Sequence, residues 1–161
     1  MRYPTHLTVI EDAIGEQAAS AVPDPGSGPA GRFVLIDSSV WVEALNPRGL
    51  AVCKEAARTV LADGTAAVCE VVLTEVLRGA RDETDAEWLH EQLRAPTNLH
   101  MRGSGPVAAR LSRMLRAQGK MFAVSDLLIC GTAVIHGAAL MHRDKHLGQI
   151  AEIAGIEQIL P

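Results

Sequence analysis

Aromatic side chains are nearly missing from this chain, with two Trp, one Tyr and two Phe among 161 residues. Any core must therefore be filled by Leu, Val, Ile and Ala. Cysteine is scarce too: Cys53, Cys69 and Cys130 form no C-x-x-C pair, are odd in number, and lie among apolar neighbours. That excludes a disulfide framework and a zinc knuckle, and leaves small core residues. No charged segment leads into a short apolar one, and no apolar run approaches the ~20 residues of a membrane span. A soluble, cytoplasmic protein is expected, with no membrane partner. A basic excess is absent as well. The net charge of -4 argues against a protein that coats DNA, although a local basic face would still serve a nucleic acid. The two GSGP stretches, at 26–29 and 103–106, lack the Lys and Ser/Thr of a phosphate-binding loop and read as turns.

What is present is a hydrophobic fraction of 48% and a mean hydropathy of +0.13, enough for one globular domain of ordinary size. The domain does not extend evenly over the chain. VPDPGSGPAG, from Val22 to Gly31, is a Pro/Gly-rich linker. The residues before it are weakly periodic and acidic. Residues 1–31 are thus expected to be a flexible N-terminal extension and residues 32–161 the domain. Because the pattern would be complete from Phe33 or Val34, the first stretch reads either as a genuine extension or as chain lying ahead of the true start.

From Phe33 onward, short apolar runs alternate with helical periodicity. FVLI, AAVC (66–69), NLHM (98–101), AALM (138–141) and the closing IEQIL read as strands. Helices are expected from about Ser39 to Leu45, Ala51 to Leu61, Val71 to Ala80, 84 to 94, Pro106 to Gln118, Val124 to His136 and Lys145 to Ala154. Trp88, Leu89 and Leu93 share one face, as do Val107, Leu111, Met114 and Leu115. Strands separated by helices imply an α/β fold with a central parallel sheet flanked by helices.

Against this apolar background four acids stand out. Asp37 ends FVLI, Glu75 interrupts VVLTEVL, Asp126 heads DLLICGTAVI, and Asp144 follows AALM by two residues. Acidic residues are rarely buried without a partner. Asp37 and Asp144 lie just past the carboxyl ends of strands, where open α/β sheets bind ligands. Asp126 opens a helix, and Glu75 lies one turn into another, so all four can converge on one crevice. Convergence is costly: at an effective dielectric of ~20, two carboxylates ~5 Å apart repel by roughly 3 kcal/mol. Several such pairs rival the stability of a whole domain, about 5–15 kcal/mol. Either some acids are protonated or a cation sits among them, and an all-oxygen donor set selects Mg2+, or Mn2+, over zinc. Such an ion activates water and stabilises charge on phosphorus, which is phosphodiester hydrolysis. Helix capping by Ser125 or Asp126 explains one acid and leaves the others unexplained.

Those segments together resemble the PIN-domain family, in particular the VapC-type toxins of bacterial toxin–antitoxin pairs. The resemblance runs from Phe33 to Leu160 through LIDSSVW, LTEVLRG, SDLLICGTAVIHGAAL and HRDKHL. It implies a single PIN-like domain and a Mg2+-dependent endoribonuclease whose catalytic metal ligands are Asp37, Glu75, Asp126 and Asp144. It also implies an RNA substrate such as tRNA or rRNA, a homodimer, and a cognate antitoxin whose C-terminal segment enters the active-site groove. Ser39 matches a small hydroxyl residue that supports the first Asp. Leu147 stands where an aromatic is usual, a departure expected to affect packing rather than chemistry. The alternative from another class is a PIN module that binds RNA or protein without turnover.

Arg78, Arg81, Arg143 and Lys145 lie near the acids in sequence and are the expected RNA-binding residues. Arg110, Arg113, Arg116 and Lys120 form a stripe at helical spacing that reads as a solvated face, with RNA phosphates as the other possibility. His142 and His146 flank Asp144, but His142 belongs to a strand exit, which disfavours a zinc site. Asp37 as a phosphatase nucleophile would want a second acid two residues on, where Ser39 stands.

Overall fold

The computed structural model describes residues 32–161, so the expectations for residues 1–31 lie outside the described residues. Five strands form one sheet: β1 (Val34–Ile36), β2 (Ala66–Val68), β3 (Thr97–Asn98), β4 (Ala139–Met141) and β5 (Gln158–Ile159). Their order is β3-β2-β1-β4-β5, and every adjacent pair is parallel. Between them run seven helices: α1 (Ser38–Leu45), α2 (Ala51–Ala62), α3 (Glu70–Arg78), α4 (Glu83–Gln92), α5 (Ser104–Ala117), α6 (Val124–His136) and α7 (Lys145–Ala154).

The three inner strands are apolar at every position and fully buried, as strands covered on both faces must be. Two-residue β3 and β5 are the edges. A short edge leaves few unpaired backbone groups for another chain to join. The chain builds outward from β1 to β2 and β3, then returns to place β4 on the other side of β1. Its direction of winding therefore reverses between β1 and β4, and the crevice at such a switch point is where doubly wound sheets bind ligands.

Two contacts hold that crevice in shape. The Asp37 amide donates to the Met141 carbonyl at 2.9 Å, extending the β1–β4 pairing by one residue. Across the fold α6 packs on α5, α7 and α3. Gly131 lets α5 and α6 meet: a Cβ there would lie 2.8 Å from the Ser104 carbonyl oxygen. Only glycine permits so close an approach.

Most boundaries agree with the periodicity, and α6 and α7 agree to the residue. The strand expected over 98–101 is instead Thr97–Asn98, and Leu99 after it is buried. GSGP at 103–106 is a turn only at Gly103, whose φ of 90° starts α5; Ser104 to Pro106 form that helix's first turn. Pro is tolerated there because first-turn amides have no helical acceptor. Trp88 does not join Leu93 in the core. It is 47% exposed, on one wall of a groove of about 790 Å³ that also contains Val42 and Val76. Helix α4 fully buries none of its residues, but Leu89 packs half-buried against the core and Leu93 just after it is buried, so of the expected face only Trp88 departs. All three cysteines are buried and free, and Leu147 is buried at 2% exposure.

Candidate active site

Three of the four acids arise from helix starts. Asp37 is the N-cap of α1, its Oδ2 accepting from the Ser39 amide at 2.9 Å. Asp144 is the N-cap of α7, its Oδ1 accepting from the amides of His146 and Leu147. Both are short acceptors at an orphaned helix N-terminus, where negative charge is favoured. Asp126 lies in the first turn of α6 but does not cap it; the N-cap is Ala123, with no side-chain capping bond. Capping thus accounts for Asp37 and Asp144 and not for Asp126, the reverse of the sequence-based expectation. Glu75 comes from the middle of α3, where the Ser38 hydroxyl donates to its Oε2 at 2.7 Å.

These local bonds leave something over. Asp37 uses Oδ2, Asp144 uses Oδ1, Glu75 uses Oε2, and Asp126 uses Oδ1, which accepts from the Ser125 hydroxyl at 3.2 Å. Each carboxylate keeps one oxygen with no hydrogen-bond partner among the described residues. No Lys or Arg side chain among those residues forms an ion pair with any of the four.

Asp37 is the hub, with only 3% of its surface exposed. Burial pushes the Asp126 carboxyl above the usual range; the Ser125 bond opposes this, Asp144 and Asp37 add repulsion, and His146 relieves part of it. Burial likewise pushes the Cys130 thiol up, with Asp126 and Asp37 adding to the effect. The Cys69 thiol is also raised, first by burial; nearby amides oppose the shift, and Glu75 and Asp37 reinforce it. Asp37 therefore acts on groups that also feel Asp126, Asp144 and Glu75. The four side chains face one neighbourhood without closing on one point. Among the described residues, no three His, Cys, Asp or Glu side chains form a preassembled metal-holding group.

The donor chemistry nonetheless fits a hard divalent cation. Four carboxylates with spare oxygens, one nearly buried and one driven up in pKa, have no Lys or Arg partner among the described residues, His146 beside Asp144 being the one nearby group of opposite charge when protonated. The zinc alternative does not fit, because His142 is buried with Nε2 2.9 Å from Gln158 Oε1 on β5.

The expected auxiliary residues separate. The Ser39 amide holds Asp37, while its hydroxyl accepts from the Arg143 amide at 3.1 Å and ties α1 to the loop after β4. Ser38, which sequence reasoning passed over, holds Glu75; the adjacent hydroxyls of Asp37-Ser38-Ser39 were its only signal. Arg143 and Lys145 line a pocket of about 340 Å³ beside Asp144. Arg78 is exposed at the end of α3. Arg81 is bound to Asp85 at 2.8 and 3.1 Å, holding that carboxyl well down, at about 2. Its charge is largely spent locally.

Comparison with known proteins gives a consistent result. The family model described as PIN domain matches residues 34–153. VapC ribonuclease Mb1587 of Mycobacterium bovis is 30% identical over 129 residues, spanning 78% of this chain and 96% of that protein. Ribonuclease VapC11 of Mycobacterium tuberculosis matches to the same extent. Among solved structures, VapBC2 from Rickettsia felis bound to a promoter DNA fragment superposes with a TM-score of 0.67 at 16% identity, over 80% of this chain and 98% of that one. DNA-bound VapBC from Salmonella typhimurium gives 0.68 at 13%, over 81% and 98%. At such identities the structural matches speak for the fold alone.

Proposed function

This chain belongs to the PIN-domain family, with VapC ribonucleases as its relatives, and on that premise we propose that it is a metal-dependent endoribonuclease acting as the toxin of a toxin–antitoxin pair. The reaction assigned is hydrolysis of RNA phosphodiester bonds at Asp37, Glu75, Asp126 and Asp144. One observation supports this reading above others: Asp126 feels the charges of both Asp144 and Asp37 near the sheet's switch point, and no Lys or Arg side chain among the described residues pairs with any of the four acids.

The free oxygens of the four acids would hold Mg2+ or Mn2+, which when bound supplies Lewis acidity toward the phosphate and eases ionisation of water. The chain's own contribution is orientation. The Ser39 amide fixes Asp37, the amides of α7 fix Asp144, Ser38 fixes Glu75 and Ser125 fixes Asp126, so each carboxylate is aimed before substrate arrives. Arg143 and Lys145, beside Asp144, are proposed to hold the RNA phosphates together with Arg78. Arg81 contributes less, being paired with Asp85. The exposed apolar groove with Trp88 and Val42 supports a protein partner, proposed to be the cognate antitoxin. A homodimer is proposed as well.

The purified, antitoxin-free protein should cut RNA with Mg2+ and stop with EDTA. Asp37→Asn and Asp126→Asn should each lower the cleavage rate by at least ~100-fold while the protein stays folded. The competing reading, a binding module without turnover, draws support from the lack of a preassembled group of three acids among the described residues. RNA binding without cleavage across a Mg2+ and Mn2+ titration would establish it instead.

A further inference from the structure

No acidic residue occurs between Glu91 and Asp126, yet that interval holds Arg94, Arg102, Arg110, Arg113, Arg116 and Lys120. In a chain of net charge -4 this is a local reversal of sign. Arg94 is neutralised by Glu91 at 3.0 Å, whereas the other five form no ion pair among the described residues. At about 100° per residue, Arg110, Arg113 and Arg116 fall on the side of α5 opposite the buried Val107, Leu111 and Leu115. Lys120 is exposed just past the end of the helix, where its amide bonds back to the Leu115 carbonyl.

Support of the helix itself does not explain this row. A basic side chain in the last turn complements the dipole, which accounts for Arg116. Arg102 and Arg110 do not lie there, and the first turn, where acids would be favoured, has none. An uninterrupted line of cations repels itself and is relieved by a polyanion that replaces its counterions.

The row also leads somewhere. After α5 the chain turns through Gly119, at φ 74°, and Phe122 sets its ring edge-on against His146 with centroids 5.7 Å apart. His146 follows Asp144 by two residues and acts on Asp126. The cationic stretch thus ends at the rim of the carboxylate site, its helical part covering ~9 Å at ~1.5 Å per residue between Arg110 and Arg116.

We propose that this face of α5 is a track for the RNA backbone, with Arg110, Arg113, Arg116 and Lys120 holding phosphates of the strand that flanks the scissile bond. The proposal rests on the ribonuclease reading of the site, and it concerns binding rather than chemistry. Guanidinium forks suit phosphate oxygens, and interactions of this kind position a strand without reading its sequence.

Binding is best measured in the Asp37→Asn background, where RNA is not consumed, with a fluorescent single-stranded RNA of ~20 nucleotides between about 50 and about 200 mM salt. Adding Arg110→Gln, Arg113→Gln, Arg116→Gln and Lys120→Gln should weaken binding by at least ~10-fold at the lower salt. It should also flatten the plot of log K against log salt by ~0.7 for each phosphate no longer neutralised. Replacing the three arginines by lysine instead should keep the slope. With Asp37 intact, the four-Gln variant should show a raised KM on long RNA and a kcat within about twofold of wild type. The double variant Arg113→Gln/Arg116→Gln, with an intermediate loss, serves if the quadruple one unfolds. Unchanged affinity and slope would overturn the track even if the wild type cuts RNA. Slope-dependent binding without any cleavage would sink the ribonuclease reading and leave the track standing, and a wild type that neither binds nor cuts RNA defeats both. Equal loss of binding to polyglutamate would mark a general anion face and overturn the assignment to RNA.

Discussion

Replacing Asp37 by Asn should raise the melting temperature of the metal-free protein, although Asp37 is among its most buried polar residues. The substitution keeps the shape and the cap, because Asn accepts from the Ser39 amide as well as Asp does. It gives up the favourable interaction of a charge with the α1 dipole, about 0.3–1 kcal/mol. Against that it removes repulsion with Asp126. Two unit charges ~7 Å apart repel by about 0.6 kcal/mol in water and about 2.4 kcal/mol at an effective dielectric of 20. For the one partly exposed neighbour Asp126, the middle of that range outweighs the forfeited dipole interaction by ~1 kcal/mol. For a domain of this size that is a gain of about 2–4 °C. Asp37→Ala has the same relief but loses the cap, worth ~1 kcal/mol, and should melt close to wild type or below it.

The pH dependence follows from Asp126, whose folded-state pKa is raised above its ordinary 3.8. A raised carboxyl carries its penalty in full above the folded value and loses it as pH falls through that value toward the ordinary one. The gap between Asp37→Asn and wild type should therefore be largest near pH 7 at low salt and shrink on acidification. Mg2+ should reverse the order: at ~100 times its Kd it stabilises wild type by about 2.7 kcal/mol, and the variant far less. Scanning calorimetry at low salt from pH 7 to pH 4, with and without Mg2+, measures all three effects. A variant that melts several degrees below wild type at pH 7, with a gap indifferent to pH, would refute the argument that these charges confront one another.

Ser38→Ala removes the hydroxyl that holds Glu75; it should cost ~1 kcal/mol in a urea melt and slow RNA cleavage by ~3–10-fold through kcat, since it loosens a carboxylate rather than deleting one. Gly131→Ala forces a Cβ to 2.8 Å from the Ser104 carbonyl and should destabilise by ~1–3 kcal/mol, whereas Gly105→Ala, with nothing within 4 Å, should not; paired thermal melts test the contrast. Cys69 and Cys130 are buried with raised thiol pKa values and should resist iodoacetamide at pH 8 until the protein is denatured, as mass spectrometry would show. Labelling of either in the native state would show that the site's floor opens.

The positions of the acids, and why they were anomalous, were legible in the linear chain. A carboxylate closing an apolar run is unfavourable wherever the run folds, so Asp37, Glu75, Asp126 and Asp144 could be singled out from neighbours alone. The α/β alternation was legible for the same local reason, since periodicity depends on residues a few positions apart. What local pattern could not distinguish was direction. Trp88 has the spacing of a core residue yet faces a groove, because α4 turns Leu89 toward the core and leaves the neighbouring Trp88 on the groove wall. Arg81 lies near Glu75 in sequence, yet Asp85 claims its charge.

Tertiary structure alone decided which elements of the four acids lie side by side. Only the strand order β3-β2-β1-β4-β5 sets the end of β1 beside the end of β4, where the Asp37 amide bonds the Met141 carbonyl. Only the packing of α6 on α3 and α7 brings the helices of Asp126, Glu75 and Asp144 together. Ser38 could not be given a role from sequence, because its partner lies 37 residues away. Residue type is a property of the chain and declares what is costly; contact between distant residues is a property of the fold and determines whether that cost is confined to one place, where a cation and a substrate can relieve it.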